Sequence, residues 1–171
     1  MAGSGVKLTG DTDPLRGLSA ALRQLASLTA DVGYLDADPV PDSPGLTVPT
    51  LAAIHEFGTD TIPARPFMTR AAAAAQPMLD SLAKREFAEV VDSGEAAVQA
   101  MAEAAGSLAR AIVLELETTE QWAVPITAET FNRNGGVSAP LHGRHGTLLA
   151  GVRYEIQREG STVARGNSHG E

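Results

Sequence analysis

Residues 52–75 read AAIHEFGTDTIPARPFMTRAAAAA, and the architecture turns on how this stretch is understood. Its opening, with Leu51, Ile54 and Phe57 behind Pro49, fits a short helix. Gly58 ends that helix, because glycine adopts the conformation of a helix C-terminus without a Cβ clash. Pro63 and Pro66 follow, and each pushes the residue before it toward β or polyproline geometry. Residues 59–67 are therefore expected to run extended and to donate few backbone hydrogen bonds. From Met68 the alanine run opens a long helical pattern. The stretch is a joint between a short helix and a long one.

The same joint carries groups with chemical potential. His55 and Glu56 are adjacent, whereas a zinc-protease helix needs a second histidine at position 59, which is Thr59. Neighbours on a helix point about 100° apart, so the pair does not converge on one metal ion. Arg65 sits between two prolines and is aimed by them. Its planar fork suits a carboxylate, either Glu56 of the same chain or one from a neighbouring subunit. Phe67 is placed to anchor the turn into the long helix. An internal clamp, with or without a subunit contact, is the architectural reading of these residues.

Working outward, residues 1–9 read as a short strand or a lead-in. Asp13 and Pro14 form a helix start, and Leu15, Leu18, Leu22, Leu25 and Leu28 recur at helical steps. Val32, Tyr34 and Leu35 support a short strand, and the proline-rich residues 38–45 an exposed loop. Beyond Met68, Pro77 either kinks the helix or opens its main part. Val98, Met101, Ala105, Leu108, Ile112 and Leu116 form a second stripe, so residues 68–118 are predicted to be continuous or nearly so. Residues 123–146 lack a clear period and read as a long loop. Val152, Tyr154 and Ile156 then alternate with Arg153, Glu155 and Gln157, the pattern of a half-buried strand free to extend a neighbour's sheet. Residues 1–160 make one domain, and 161–171 are expected as a flexible tail, a short returning strand being the other reading. The fold class is α+β: a small antiparallel sheet on one long, kinked or straight helix, with a shorter N-terminal helix and long loops.

Composition narrows the function classes. The chain has 171 residues, 43% of them hydrophobic but only 4% aromatic, which favours close helix packing over aromatic-lined ligand pockets. Without cysteine there are no disulfides and no thiolate metal sites. The sequence has no evident membrane-length apolar run, and its start lacks the apolar middle of a signal peptide, so a soluble, intracellular product is expected. Net charge is −8. Residues 1–60 hold 3 basic and 8 acidic side chains, residues 61–120 hold 5 and 9, and residues 121–171 hold 5 and 4. An acidic body repels a phosphate backbone, which argues against sequence-independent nucleic-acid binding. The asymmetry fits solvated faces or complementary subunit surfaces. His142 and His145 lie among glycines in a loop, and no nucleotide or nucleophile-elbow motif is present. No catalytic residue, metal or cofactor is expected.

Taken together, "EFGT" at 56–59 and "IPARPF" at 62–67 resemble the signature of phage neck and tail-completion proteins, a family that includes minor tail protein Z of phage lambda and the Mu-type virion morphogenesis proteins. The similarity extends in order through the amphipathic helix at 15–28, the "VGYL" piece at 32–35, the helical region 68–118, Trp122 to Pro125, Pro140-Leu141, Gly146 and "LLAGVRYEI". The family commonly has an Asp-Thr-Gly turn after "PL", where this chain has "HGRHG". The resemblance implies a structural virion protein at the neck or proximal tail, completing the tail and joining it to the head. It further implies a homo-oligomeric ring, most readily a hexamer, touching the neck connector and the tail terminator or tube. No membrane and no sequence-specific nucleic acid are implied, with DNA passing through the ring. The location is the virion, and the host cytoplasm during assembly. The residues expected at subunit contacts are Glu56, Phe57, Gly58, Arg65, Pro66 and Phe67, then Leu141, His142, Arg144 and His145. Competing expectations are a terminator or head-closure connector of the same neck, and a non-viral module binding through the acidic helix face at 80–120. A metal-dependent hydrolase using His55, Glu56, His142 and His145 is a further alternative, and it requires stoichiometric metal.

Overall fold

The computed structural model describes residues 14–168 apart from 42, 44, 90–93, 134, 137–139 and 142–144. Helix α1, Pro14–Ala26, stops where the Ser27 N–H donates to the Arg23 carbonyl (3.1 Å) and its hydroxyl to that of Gln24 (2.7 Å). Strand β1, Leu28–Gly33, follows at once. The leucine stripe expected to run to Leu28 is therefore one step too long, because Leu28 is buried as a strand residue. The strand expected around residues 32–35 is displaced too: β1 ends at Gly33, and Tyr34 lies beyond it. The proline-rich loop is closed by a bridge between Pro39 and Thr47, with Val40 N–H on the Leu46 carbonyl at 2.9 Å. That closure delivers the chain into α2, Val48–Phe57.

Helices α3, Phe67–Glu89, and α4, Gly94–Glu117, replace the nearly continuous helix expected over 68–118. They pack side by side, and more residues meet between them than between any other two elements. Two apolar stripes of similar length bury one another when the chain folds back. Within the alanine run, Ala71 and Ala75, one helical turn apart, are buried, while residues 72–74 are exposed. Small residues at that seam let two helix backbones approach closely. Pro77 stands inside α3 without ending it, and the Ser81 hydroxyl donates to the Pro77 carbonyl at 2.9 Å.

Helix α4 is the long helix that supports the sheet, and it also touches α1, α3 and α6. By length and composition its residues Ala96–Glu117 are apolar enough to cross a membrane, contrary to the sequence reading. Ala97, Ala105, Ala109, Ile112 and Leu116 of this helix are buried, and about a third of the segment is buried in all. A turn of 3-10 helix, Thr119–Gln121, ends the element. The expected long loop 123–146 contains α5, Ala128–Arg133, and a short helix α6, Thr147–Ala150, precedes the strand expected from Val152.

Strands β2, Arg153–Arg158, and β3, Ser161–Asn167, complete an antiparallel sheet in the order β1-β2-β3. The flexible tail expected from 161 is thus corrected over 161–167. Its cause is local: Glu159 (φ 50°) and Gly160 (φ 79°) form a two-residue loop with both φ positive, the geometry that returns a strand on itself. As β2 is central and paired on both sides, it cannot extend a neighbour's sheet, and the outer strands are β1 and β3. Leu28, Val32, Tyr154, Ile156 and Ala164 pack with α4 residues. Asp31, Glu155, Gln157, Thr162 and Arg165 occupy the opposite, polar face, joined by side-chain hydrogen bonds.

Candidate functional site

The joint at 52–75 places its polar groups with little freedom. Helix α3 begins at Phe67, and its first backbone N–H groups need acceptors that its own turns do not supply. Glu56 provides them from α2. Its Oε2 accepts the Met68 N–H at 2.9 Å, and its Oε1 accepts the Thr69 N–H at 3.0 Å and the Thr69 hydroxyl at 2.6 Å. A carboxylate at a helix N-terminus also meets the positive end of the helix dipole. Glu56, only 6% exposed, is therefore a cap for α3 borrowed from another helix.

Gly58 makes the reversal possible. Its N–H closes α2 on the Ile54 carbonyl at 2.9 Å, and its φ is 74°. A Cβ there would lie 2.7 Å from the Ala64 nitrogen and 2.8 Å from the Ile62 oxygen, so the chain crosses itself at van der Waals limits. Across the crossing, the Thr59 N–H meets the Ile62 carbonyl at 2.8 Å and the Arg65 N–H meets the His55 carbonyl at 2.6 Å. Phe67 then enters the core with no exposed surface, edge-on to Tyr34 at 6.3 Å between ring centroids. Burying such a ring contributes about 2–3 kcal/mol.

Arg65 does not pair with Glu56, whose oxygens are engaged by α3. Its Nη2 lies 3.4 Å from the Val124 carbonyl, and its Nε is covered without a hydrogen-bond partner. Burial lowers the guanidinium pKa from its ordinary value. His55 stands beside it, and burial, then the Arg65 charge, pull the imidazole down to about 4. Tyr34 is pushed well above the usual phenol range, by burial first and by the Glu56 carboxylate second. Its hydroxyl donates to the Leu148 carbonyl at 3.0 Å and ties α6 to the joint. On the far side Arg70 lies 4.4 Å from the centre of the Trp122 ring and 2.8 Å from a Glu115 oxygen. Tyr34, Thr69, Arg70 and Trp122 thus belong to the site although the sequence reading placed none of them there. Thr69 alone carried a local signal, as a hydroxyl residue at a helix start; the others meet the joint only through tertiary packing.

Beside the joint, α2, α3, α4 and the end of β1 enclose an open groove of about 560 Å3. Its walls are largely apolar, with Val32, Tyr34, Ala52, Ala53, Met68, Ala72, Leu108 and Ile112 among them. Phe57 lines its rim and is 79% exposed, a large aromatic surface in water. Of the residues expected at subunit contacts, Glu56, Arg65, Phe67 and Leu141 are buried within the chain. Phe57, Pro66 and His145 are exposed and Gly58 is half-buried. His142 and Arg144 lie outside the described residues. Among the described residues no group of three histidine, cysteine or carboxylate side chains is placed to hold a metal ion. Comparison with protein families, curated proteins and solved structures returned no match to this chain.

Proposed function

We propose that the chain is a structural subunit that works by self-association: a component of a tailed-phage neck or proximal tail that completes the tail and joins it to the head. The reading starts from the resemblance carried by "EFGT" and "IPARPF". The supporting observation is Phe57, 79% exposed at the rim of an apolar groove. An aromatic ring left in water beside an apolar hollow is a feature of protein–protein contact surfaces. The other residues of the signature have mechanical partners: Glu56 caps α3, Gly58 permits the crossing and Phe67 fills the core. In this reading copies of the chain form a ring around the DNA path, with neck and tail-tube proteins above and below. Gold-labelled antibody on purified particles tests it. Label at the head–tail junction supports the assignment, and particles free of the protein remove it.

A further inference from the structure

Among the described residues β1 and β3 each pair on one side only, with β2. Thr29, Ala30 and Asp31 are exposed on β1, as are residues 161–163 and Arg165 on β3. An unpaired strand presents a row of backbone donors and acceptors; neither edge here contains proline or lysine, while a bulge at Val163 blunts only the start of β3.

The charges across the polar face have a direction. Asp31, Glu155 and Arg165 occupy one transverse row, each opposite the next. Arg165 donates through Nε and Nη2 to Glu155 Oε2, at 2.8 and 2.6 Å, and Thr162 donates to the other Glu155 oxygen. These bonds, Thr162 first, hold the Glu155 carboxyl below its usual range. Asp31, at the opposite edge, receives the Gln157 amide at a long 3.4 Å. The row therefore reads anion, anion, cation from the β1 edge to the β3 edge.

We propose that copies of this chain join edge to edge and head to tail, β3 of one beside β1 of the next, with Arg165 meeting the partner subunit's Asp31. Pairing β3 with β3 about a two-fold axis brings two Arg165 side chains close, and pairing β1 with β1 does the same for Asp31. Like charges on adjacent strands are destabilising, whereas the mixed pairing sets opposite charges side by side. Since β1 and β3 run parallel within one sheet, a sheet continued in this way has a parallel junction. The register shift between Ile156 and Gln157 makes Val163 the extra residue of a bulge, which leaves 164–167, the part holding Arg165, as the regular half of the edge. A contact between two different surfaces closes into a ring when its rotation closes, so this orientation rests on the self-association reading and specifies it.

The test uses the full chain and two variants, Asp31→Arg and Arg165→Asp, followed by sedimentation velocity and native mass spectrometry across a concentration series. Wild type is expected to form oligomers, and each variant alone to associate roughly tenfold more weakly or less. An equimolar mixture of the two variants is expected to recover assembly, because every contact in an alternating array again joins opposite charges. Circular dichroism accompanies each sample. Arg165→Asp also removes a partner of Glu155, so Asp31→Arg is the decisive single variant. Asp31→Arg assembling as wild type does overturns the edge pairing and leaves self-association standing, and a mixture that stays dissociated overturns the head-to-tail orientation. A monomeric wild type overturns the edge pairing, and the neck reading is then judged separately by particle labelling.

Discussion

At the scale of single residues, Glu56 shows how an apparent acid–base pair becomes a structural device. Its carboxylate is directed at the start of α3, where two backbone N–H groups and a hydroxyl take it up. Glu56→Ala should cost about 2 kcal/mol and Glu56→Gln about 1 kcal/mol, since the amide keeps an acceptor and loses the charge. Urea unfolding midpoints check both. Gly58→Ala is expected to cost about 2 kcal/mol or more, because positive φ and the contacts with Ile62 and Ala64 act together; thermal unfolding of the variant measures it. His55 makes stability depend on pH. Its imidazole titrates near 4 in the fold, against 6.5 for an unperturbed histidine. The unfolded chain takes up the proton first, so the neutral imidazole's contribution is complete above about pH 6.5 and is lost as pH falls toward about 4. The loss amounts to roughly 3 kcal/mol. His55→Gln should flatten that part of the curve of unfolding free energy against pH, and a slope identical to wild type would refute the assignment.

At the scale of elements, periodicity located the helices better than it located their ends. Helix α2 is where Pro49 and Gly58 place it, because both limits are set by local backbone chemistry. The leucine stripe overran α1, since Leu28 satisfies a helical period and a strand's buried face equally well. Residues 68–118 looked continuous because two stripes that face each other have the same spacing as one stripe facing a sheet. In α3, Pro77 lacks the N–H that would bond one turn back, and it is exposed. Pro77→Ala should therefore stabilise the chain, by about 1–3 kcal/mol. A thermal midpoint no higher than wild type would show that the proline fits its helix without cost.

At the scale of the whole molecule, the proposed self-association assigns the exposed Phe57 to contact between copies and not to folding. Phe57→Ser should leave the unfolding midpoint within about 0.5 kcal/mol of wild type, because the ring is 79% exposed, and should weaken oligomers seen in sedimentation. A variant that unfolds early, or that assembles unchanged, contradicts this division. The extended run expected over 59–67 is corrected at its start: residues 60–62 bend, and the Thr59 N–H bonds the Ile62 carbonyl, which returns Ala64 to Gly58. The sequence by itself determined the α+β class, the short helix ended by Gly58, and the alternation of Tyr154 and Ile156 with Arg153, Glu155 and Gln157. Each follows from backbone restriction or side-chain period over a few consecutive residues. Tertiary structure alone decided that Glu56 serves α3 and Arg65 turns to Val124, that Trp122 lies beneath Arg70, and that α3 folds back on α4. It also decided that β2 is central and β3 an edge. Those outcomes depend on which distant surfaces bury one another and which backbone groups still need partners, and that competition is resolved only when the whole chain is packed.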